Sequence, residues 1–216
     1  ISVFSCQNSS PANQKKLFPK NIKVFDLDIF ASASTSDAKI IHAAKIMAQY
    51  LDNDEDGNVD NKLVHNMLKS RNASLVMFNN ELEAEIAWRS GMYEFPENSQ
   101  ALFDEETIPS FEKSNSNQRF DASLEEVLHL ITHEGYSQVY SELKEEKGSR
   151  ISDAMDIARG GQFINHPDEY PEEAWYHYDD WTCDYECMAN EYMYWSIVSY
   201  MGVLDDPQTC SGIYKE

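Results

Sequence analysis

The stretch Glu126-Val127-Leu128-His129-Leu130-Ile131-Thr132-His133-Glu134 decides how the second half of this chain is read, because its residues sort onto two faces at the helical period. With Glu126 at zero and about 100° of rotation per residue, His129 falls near about 300° and His133 near about 340°. Leu124, Val127, Leu128 and Ile131 fall between about 100° and 200°, on the opposite side. One face therefore packs, and the other presents two imidazoles and a carboxylate. Two histidines four residues apart on one helical stripe form a metal-ligand geometry, and these are two of only six histidines in the chain. Tyr136 and Tyr140 fall on the histidine side, where a phenol can assist a metal-bound oxyanion.

Working outward, the helix is expected over about 122–140, preceded by a polar linker at Ser114–Gln118. Alternating residues predict a strand from Ile22 to Phe30. Ile40, Ile41, Ala44, Ile46, Met47 and Leu51 recur at helical spacing and predict a helix over Asp37–Leu51, with Ser36 as its cap. A shorter helix is expected from Asn61 to Lys69, a β run from Ala73 to Phe78, and a short edge strand within Tyr93–Phe111. After the histidine helix come a helix over Gly148–Arg159 ending at Gly160-Gly161, an aromatic loop from Phe163 to Trp181, and a last helix from about Cys183 to Met201.

A second cation signal lies between the first two helices. In Asp52-Asn53-Asp54-Glu55-Asp56-Gly57-Asn58-Val59-Asp60 the alternate carboxylates Asp52, Asp54 and Asp56 precede a glycine, with Asn58 and Asp60 after it. Ca²⁺ takes six to eight hard oxygens, and alternate aspartates ahead of a sharp glycine turn converge on one ion. This loop resembles an EF-hand. Leu63 stands at the twelfth position, where an EF-hand has a bidentate glutamate, so Asp60 is the expected closing ligand.

The spacing of His129 and His133 resembles the two histidines of zincin metallopeptidases, whose motif is H-E-x-x-H on a helix. The motif is degenerate: Leu130 follows the first histidine where the family has its general-base glutamate, and in the frame starting at His133 the second histidine is Ser137. Glu126 and Glu134 are the carboxylates able to replace that base. Zincins of the gluzincin type take a third ligand from a glutamate on a later helix, and the segment around Glu191 resembles that helix. Glu191 stands in an apolar, aromatic run where an ionised carboxylate needs a positive partner. His177 is the rival ligand. The resemblance implies Zn²⁺ or another transition metal, metal-activated water, and a peptide or other small substrate. A di-iron site needs a second E-x-x-H besides Glu126-x-x-His129, and the chain has none.

Composition sets the bounds. With 216 residues and 42% hydrophobic content the chain can bury one substantial core. Its 38 acidic against 17 basic residues give a formal charge of −21, which repels nucleic acid and anionic membranes and favours cations. No apolar run is long enough to span a membrane. The first residues, Ile1 to Cys6, read as a processed chain that has lost a targeting peptide. Cys6, Cys183, Cys187 and Cys210 form an even set suited to disulfides, three connectivities being possible. Sequons at Asn8 and Asn72 are compatible with secretion as a glycoprotein. There is no G-x-S-x-G elbow and no phosphate-binding glycine loop.

The expected protein is α+β and mainly helical, with a small antiparallel sheet packed on an active-site helix and stapled by disulfides. It is expected as a single domain, with a strand/helix subdomain over 21–118 that carries the calcium loop and a helical metal-site subdomain over 119–216. The expected function is that of a secreted, zinc-dependent, peptidase-like hydrolase with a structural calcium site. The alternatives are a non-enzymatic calcium-binding matrix protein and a copper or iron redox protein. Oligomeric state is not written in the sequence.

Overall fold

A computed structural model describes residues 17–91, 94–111 and 120–205. Cys6, Asn8, Cys210 and the linker at Ser114–Gln118 lie outside them. The architecture is α+β. Four strands, β1 (Lys20–Val24), β2 (Leu27–Ala31), β3 (Ser74–Phe78) and β4 (Ser99–Phe103), form one sheet in the order β1-β2-β3-β4. The sheet is mixed rather than antiparallel: β1 and β2 pair antiparallel, while β2 with β3 and β3 with β4 run parallel. The reason is connectivity, since helices carry the chain back between the last three strands and a hairpin joins only the first two.

That hairpin corrects the single strand expected over Ile22–Phe30. Phe25 and Asp26 adopt φ of 45° and 69°, the left-handed pair that a two-residue hairpin turn requires. Val24 faces Leu27 across the turn. The reversal moves Val24 onto the same side as Leu27, Ile29 and Ala31, all of which are buried in one cluster. A period-two pattern read straight through the turn puts Val24 on the wrong face.

Helix α1 (Asp37–Leu51) has the expected bounds, and α2 (Lys62–Ser70) begins one residue late because Asn61 is its cap, accepting from Val64 N at 3.2 Å. Helix α3 (Glu81–Arg89), capped by Asn80, has no counterpart in the sequence reading. Its large apolar residues Leu82, Ile86 and Trp88 are exposed and only Ala87 is buried, so it shows no apolar stripe to find. Strand β3 is buried along its whole length, as a central strand covered on both faces must be. On one face Leu75 and Met77 pack with α1 and α2, and on the other Val76 and Phe78 pack with Phe18 and Ala87. Strand β4 is the edge strand expected between Tyr93 and Phe111.

The histidine helix comprises α4 (Ser123–Ile131), a π turn at Thr132–Tyr136 and a last α turn at Ser137–Val139. Val127, Leu130 and Ile131 are buried in the same cluster as the strands, so α4 packs on the sheet. Asp121 anchors its start: Oδ1 accepts from Ser123 Oγ at 2.7 Å and Ile108 N at 2.9 Å, and Oδ2 lies 2.7 Å from His42 Nε2 of α1. Gly135 allows the π turn to approach α2, since a Cβ there would meet Val64 Cγ1 at 2.8 Å and Leu68 Cγ at 3.2 Å. Gly135→Ala is therefore expected to destabilise the chain by about 1–3 kcal/mol through overpacking. Urea unfolding checks this, and an unchanged midpoint would show that α2 yields freely.

Two more helices complete the fold. Helix α5 (Arg150–Ala158) is capped by Ser149, and α6 (Tyr185–Tyr200) by Asp184, which accepts from Cys187 N at 3.1 Å. Met155, Ala158, Tyr185, Met188, Ala189 and Tyr192 form a second cluster between them. Cys183 and Cys187 are joined to each other, tying the end of the aromatic loop to the first turn of α6. This bond is local and does not staple a chain end to the core. Among the described residues no helix is long and apolar enough to cross a membrane.

Candidate metal centre

Helix α4 and helix α6 meet where Thr132 Oγ1 lies 2.8 Å from Asn190 Oδ1 and the His129 ring lies 5.4 Å from that of Tyr194. This contact turns Glu191 toward His129. His129 Nε2 is 3.4 Å from Glu191 Oε1 and 3.5 Å from Glu125 Oε1. Donor atoms of Glu125, His129 and Glu191 all lie within 4.8 Å of one another. His129 is 4% exposed, and neither of its ring nitrogens has a hydrogen-bond partner of acceptable geometry. A buried imidazole with both nitrogens unbonded is unusual, and here it faces two carboxylates.

The electrostatics follow from crowding. Burial drives the Glu191 carboxyl up, against the His129 charge, to about 7. Burial also pushes the His129 imidazole down, but the adjoining Glu125, Glu191 and Glu126 carboxylates outweigh it and raise it to about 9. Carboxylates held this close repel, so the cluster has a high affinity for positive charge, protonic or metallic. One nitrogen and two carboxylate oxygens form a donor set that zinc, iron and manganese all accept. The residues therefore fit a divalent transition metal.

No family model, curated protein or solved structure matches this chain. The site has to be read from its own chemistry.

The structure brings His129 and Glu191 together and adds Glu125, which the sequence reading passed over. Its signal was present: by the same rotation rule Glu125 falls near about 260°, one turn before His129 on the same stripe. His133 is not in the cluster. The π turn starts one residue before it, and a π turn takes more residues per revolution, so the uniform 100° rule no longer places it beside His129. His133 Nδ1 instead bonds the buried Glu145, whose other oxygen accepts from Ser137 Oγ at 2.9 Å, while Nε2 lies 3.6 Å from Glu134. Glu134 is paired with Arg71 at 2.5 Å, and Glu126 accepts from Gln100 Nε2 at 2.6 Å on β4. Burial, opposed by the His129 charge and the Gln100 bond, raises Glu126 to about 7. Tyr136 stacks on Tyr140, and His177 stacks on Tyr170 with ring centroids 4.8 Å apart. Neither reaches the cluster. Tyr178, on the aromatic loop, lies near enough to Glu191 for their charges to act on each other.

The His133–Glu145 bond predicts a pH dependence. The bond, against burial and with the Glu145 and Glu134 charges, raises the His133 pKa above its ordinary value of about 6.5. A raised folded-state pKa contributes stability that is complete below the ordinary value and is lost as pH rises through the folded one. The side chain is 41% exposed, so screening keeps the effect small, within about 1 kcal/mol. Thermal midpoints of wild type and His133→Gln should differ most below about pH 6.5 and converge above it. A gap that widens with rising pH contradicts the assignment.

In the acidic loop, donor atoms of Asp52, Asp54 and Asp60 lie within 4.8 Å of one another. Asp52 also accepts from Gly57 N at 2.9 Å and Asp60 from Asn53 N at 2.8 Å, and Gly57 adopts φ 85°. Asp56 turns away, accepting from the Asn58 backbone and side chain. The Asp56 N–H pulls the Asp54 pKa down, yet the charges of Asp56, Asp60 and Asp52 leave it raised. Leu63 is exposed on α2 and closes nothing. At the second sequon Asn72 is exposed while Ser74 is buried in β3.

Proposed function

We propose that the chain is a zinc-dependent, peptidase-like hydrolase whose metal is held by Glu125, His129 and Glu191, with calcium held by Asp52, Asp54 and Asp60. The observation that carries this reading is the buried His129 imidazole, whose Nε2 lies at ion-pair distance from two carboxylates without a hydrogen bond of good geometry and whose Nδ1 has no partner. His129 and Glu191 keep the zincin-like pairing of a helix histidine with a later glutamate, and Glu125 takes the place of the second histidine. Three protein ligands leave the open position that a catalytic zinc site has. Zinc held there supplies Lewis-acid polarisation of a carbonyl and a water of lowered pKa.

The chain supplies position and proton transfer. Glu126 is assigned as the general base, because it adjoins the cluster while Glu134 is committed to Arg71. Tyr178 lies near Glu191, and Tyr194 covers one side of His129 and excludes water from it. The Cys183–Cys187 disulfide supports an oxidising compartment and hence secretion. A second reading, a calcium-binding protein without catalysis, is favoured by the convergence of Asp52, Asp54 and Asp60.

Metal analysis of the purified chain, with hydrolysis of a mixed peptide library before and after chelation, separates these. The expected result is about one zinc per chain and a hydrolysis that chelation abolishes and zinc restores. Calcium alone, or zinc without hydrolysis, sinks the peptidase reading. Iron or copper with redox activity moves the centre to a different class.

A further inference from the structure

The aromatic loop that reaches the metal centre has an extreme charge pattern. From Gly160 to Tyr214 the sequence contains no lysine and no arginine. Within the described part of this stretch, Asp168, Glu169, Glu172, Glu173, Asp179 and Asp180 are all exposed. The nearest cation upstream, Arg159, is fully buried and paired with Asp156 at 2.8 Å, so it neutralises none of them.

Two tryptophans stand among these carboxylates. Trp175 is 71% and Trp181 82% exposed, and they flank Tyr178 at three residues on either side. Two exposed tryptophans offer ring faces on which a cation can stack. The loop is also held in place. Tyr170 Oη donates to Tyr178 O at 2.6 Å and accepts from Tyr178 N at 3.2 Å, while Tyr176 packs edge-on against Tyr192 of α6. Asp180 is close enough to Glu191 to act on its charge. Tyr176 therefore seats the loop that carries these acids and rings on α6, beside Glu191, and the buried His129, whose Nδ1 has no hydrogen-bond partner, is an independent sign of a ligand at that centre.

We propose that the ligand drawn to this centre is an arginine-rich peptide segment. This rests on the metal-hydrolase reading and names its substrate class. Guanidinium groups stack on tryptophan faces and pair with carboxylates in one geometry, which neither neutral nor anionic peptides do. A field of one sign around an entrance raises the local concentration of the opposite charge.

The test uses the full chain and three fluorescent peptides identical except that arginine is replaced throughout by glutamine or by glutamate. Anisotropy should show the arginine peptide binding at least about tenfold more tightly than the glutamine peptide, with no binding of the glutamate peptide. Trp175→Ala/Trp181→Ala and Asp179→Asn/Asp180→Asn should each weaken the arginine peptide about tenfold. Glu81→Gln/Glu97→Gln, the same change of charge far along the sequence, should leave it unaltered. Equal binding of the glutamine peptide, or equal loss in the Glu81/Glu97 pair, overturns the proposal and reduces the attraction to net charge. His129→Ala separates the two readings. Arginine-peptide binding that survives His129→Ala, together with a wild-type chain that holds no zinc, upholds the loop surface and sinks the hydrolase, whereas wild-type zinc without selective binding does the reverse.

Discussion

His129→Ala and Glu125→Gln are each expected to lower zinc affinity more than about a hundredfold, whereas His133→Ala leaves it near wild type. Changes in residues that only orient a ligand already cost about 10–100-fold, and loss of a direct donor exceeds that. Glu125 and His129 lie one turn apart on α4 and Glu191 crosses from α6, so each supplies one donor to a common point. His133 is committed to Glu145 and lies outside that group. Competition with a chromophoric chelator reads the affinity directly and does not depend on activity. A large loss from His133→Ala with none from Glu125→Gln would restore the two-histidine arrangement and refute the carboxylate one.

The second large effect concerns stability. Arg159→Met is expected to cost about 3–5 kcal/mol, the usual penalty for removing one partner of a buried ion pair. Arg159 has no exposed surface. Its guanidinium donates to Asp156 Oδ1 at 2.8 Å and Phe163 O at 3.2 Å, and lies 5.6 Å from the ring centres of Phe163 and Tyr185. It therefore joins α5, the start of the aromatic loop and α6 in one contact. Asp156 keeps Tyr185 Oη and Gln162 as donors, at 2.9 and 3.0 Å, but loses its only charged partner among the described residues. Guanidinium chloride unfolding measures the loss, and a cost below about 1 kcal/mol would show the pair to be replaceable by packing. Because Arg159 holds the start of the loop through Phe163 O, proteolysis within 163–181 should quicken in this variant.

Legibility in the sequence followed the number of residues that repeat a pattern. Helix α1 has six buried residues at helical spacing, and its ends were read to the residue. Helix α3 buries only Ala87 and left no stripe. The hairpin was missed for a different reason: its turn is Phe25-Asp26, which lacks the glycine or asparagine that marks left-handed backbone, and the β pattern runs on across it. The π turn is equally silent, since nothing in Thr132–Tyr136 announces it except Gly135, whose missing side chain makes sense only once Val64 and Leu68 lie against it.

The sequence alone therefore determined which segments are candidates for chemistry: a histidine helix with its carboxylates, a glutamate stranded among aromatics and an aspartate loop ahead of a glycine. Those are properties of residue type and local period, which survive without neighbours. Only the tertiary structure decided which of them meet. The π turn carries His133 off to Glu145, the packing of α6 on α4 brings Glu191 to His129, and Glu125 joins them from one turn earlier. Ligand identity at such a site depends on rotations of a fraction of a helical turn, and a uniform helical period cannot register where the helix changes its pitch.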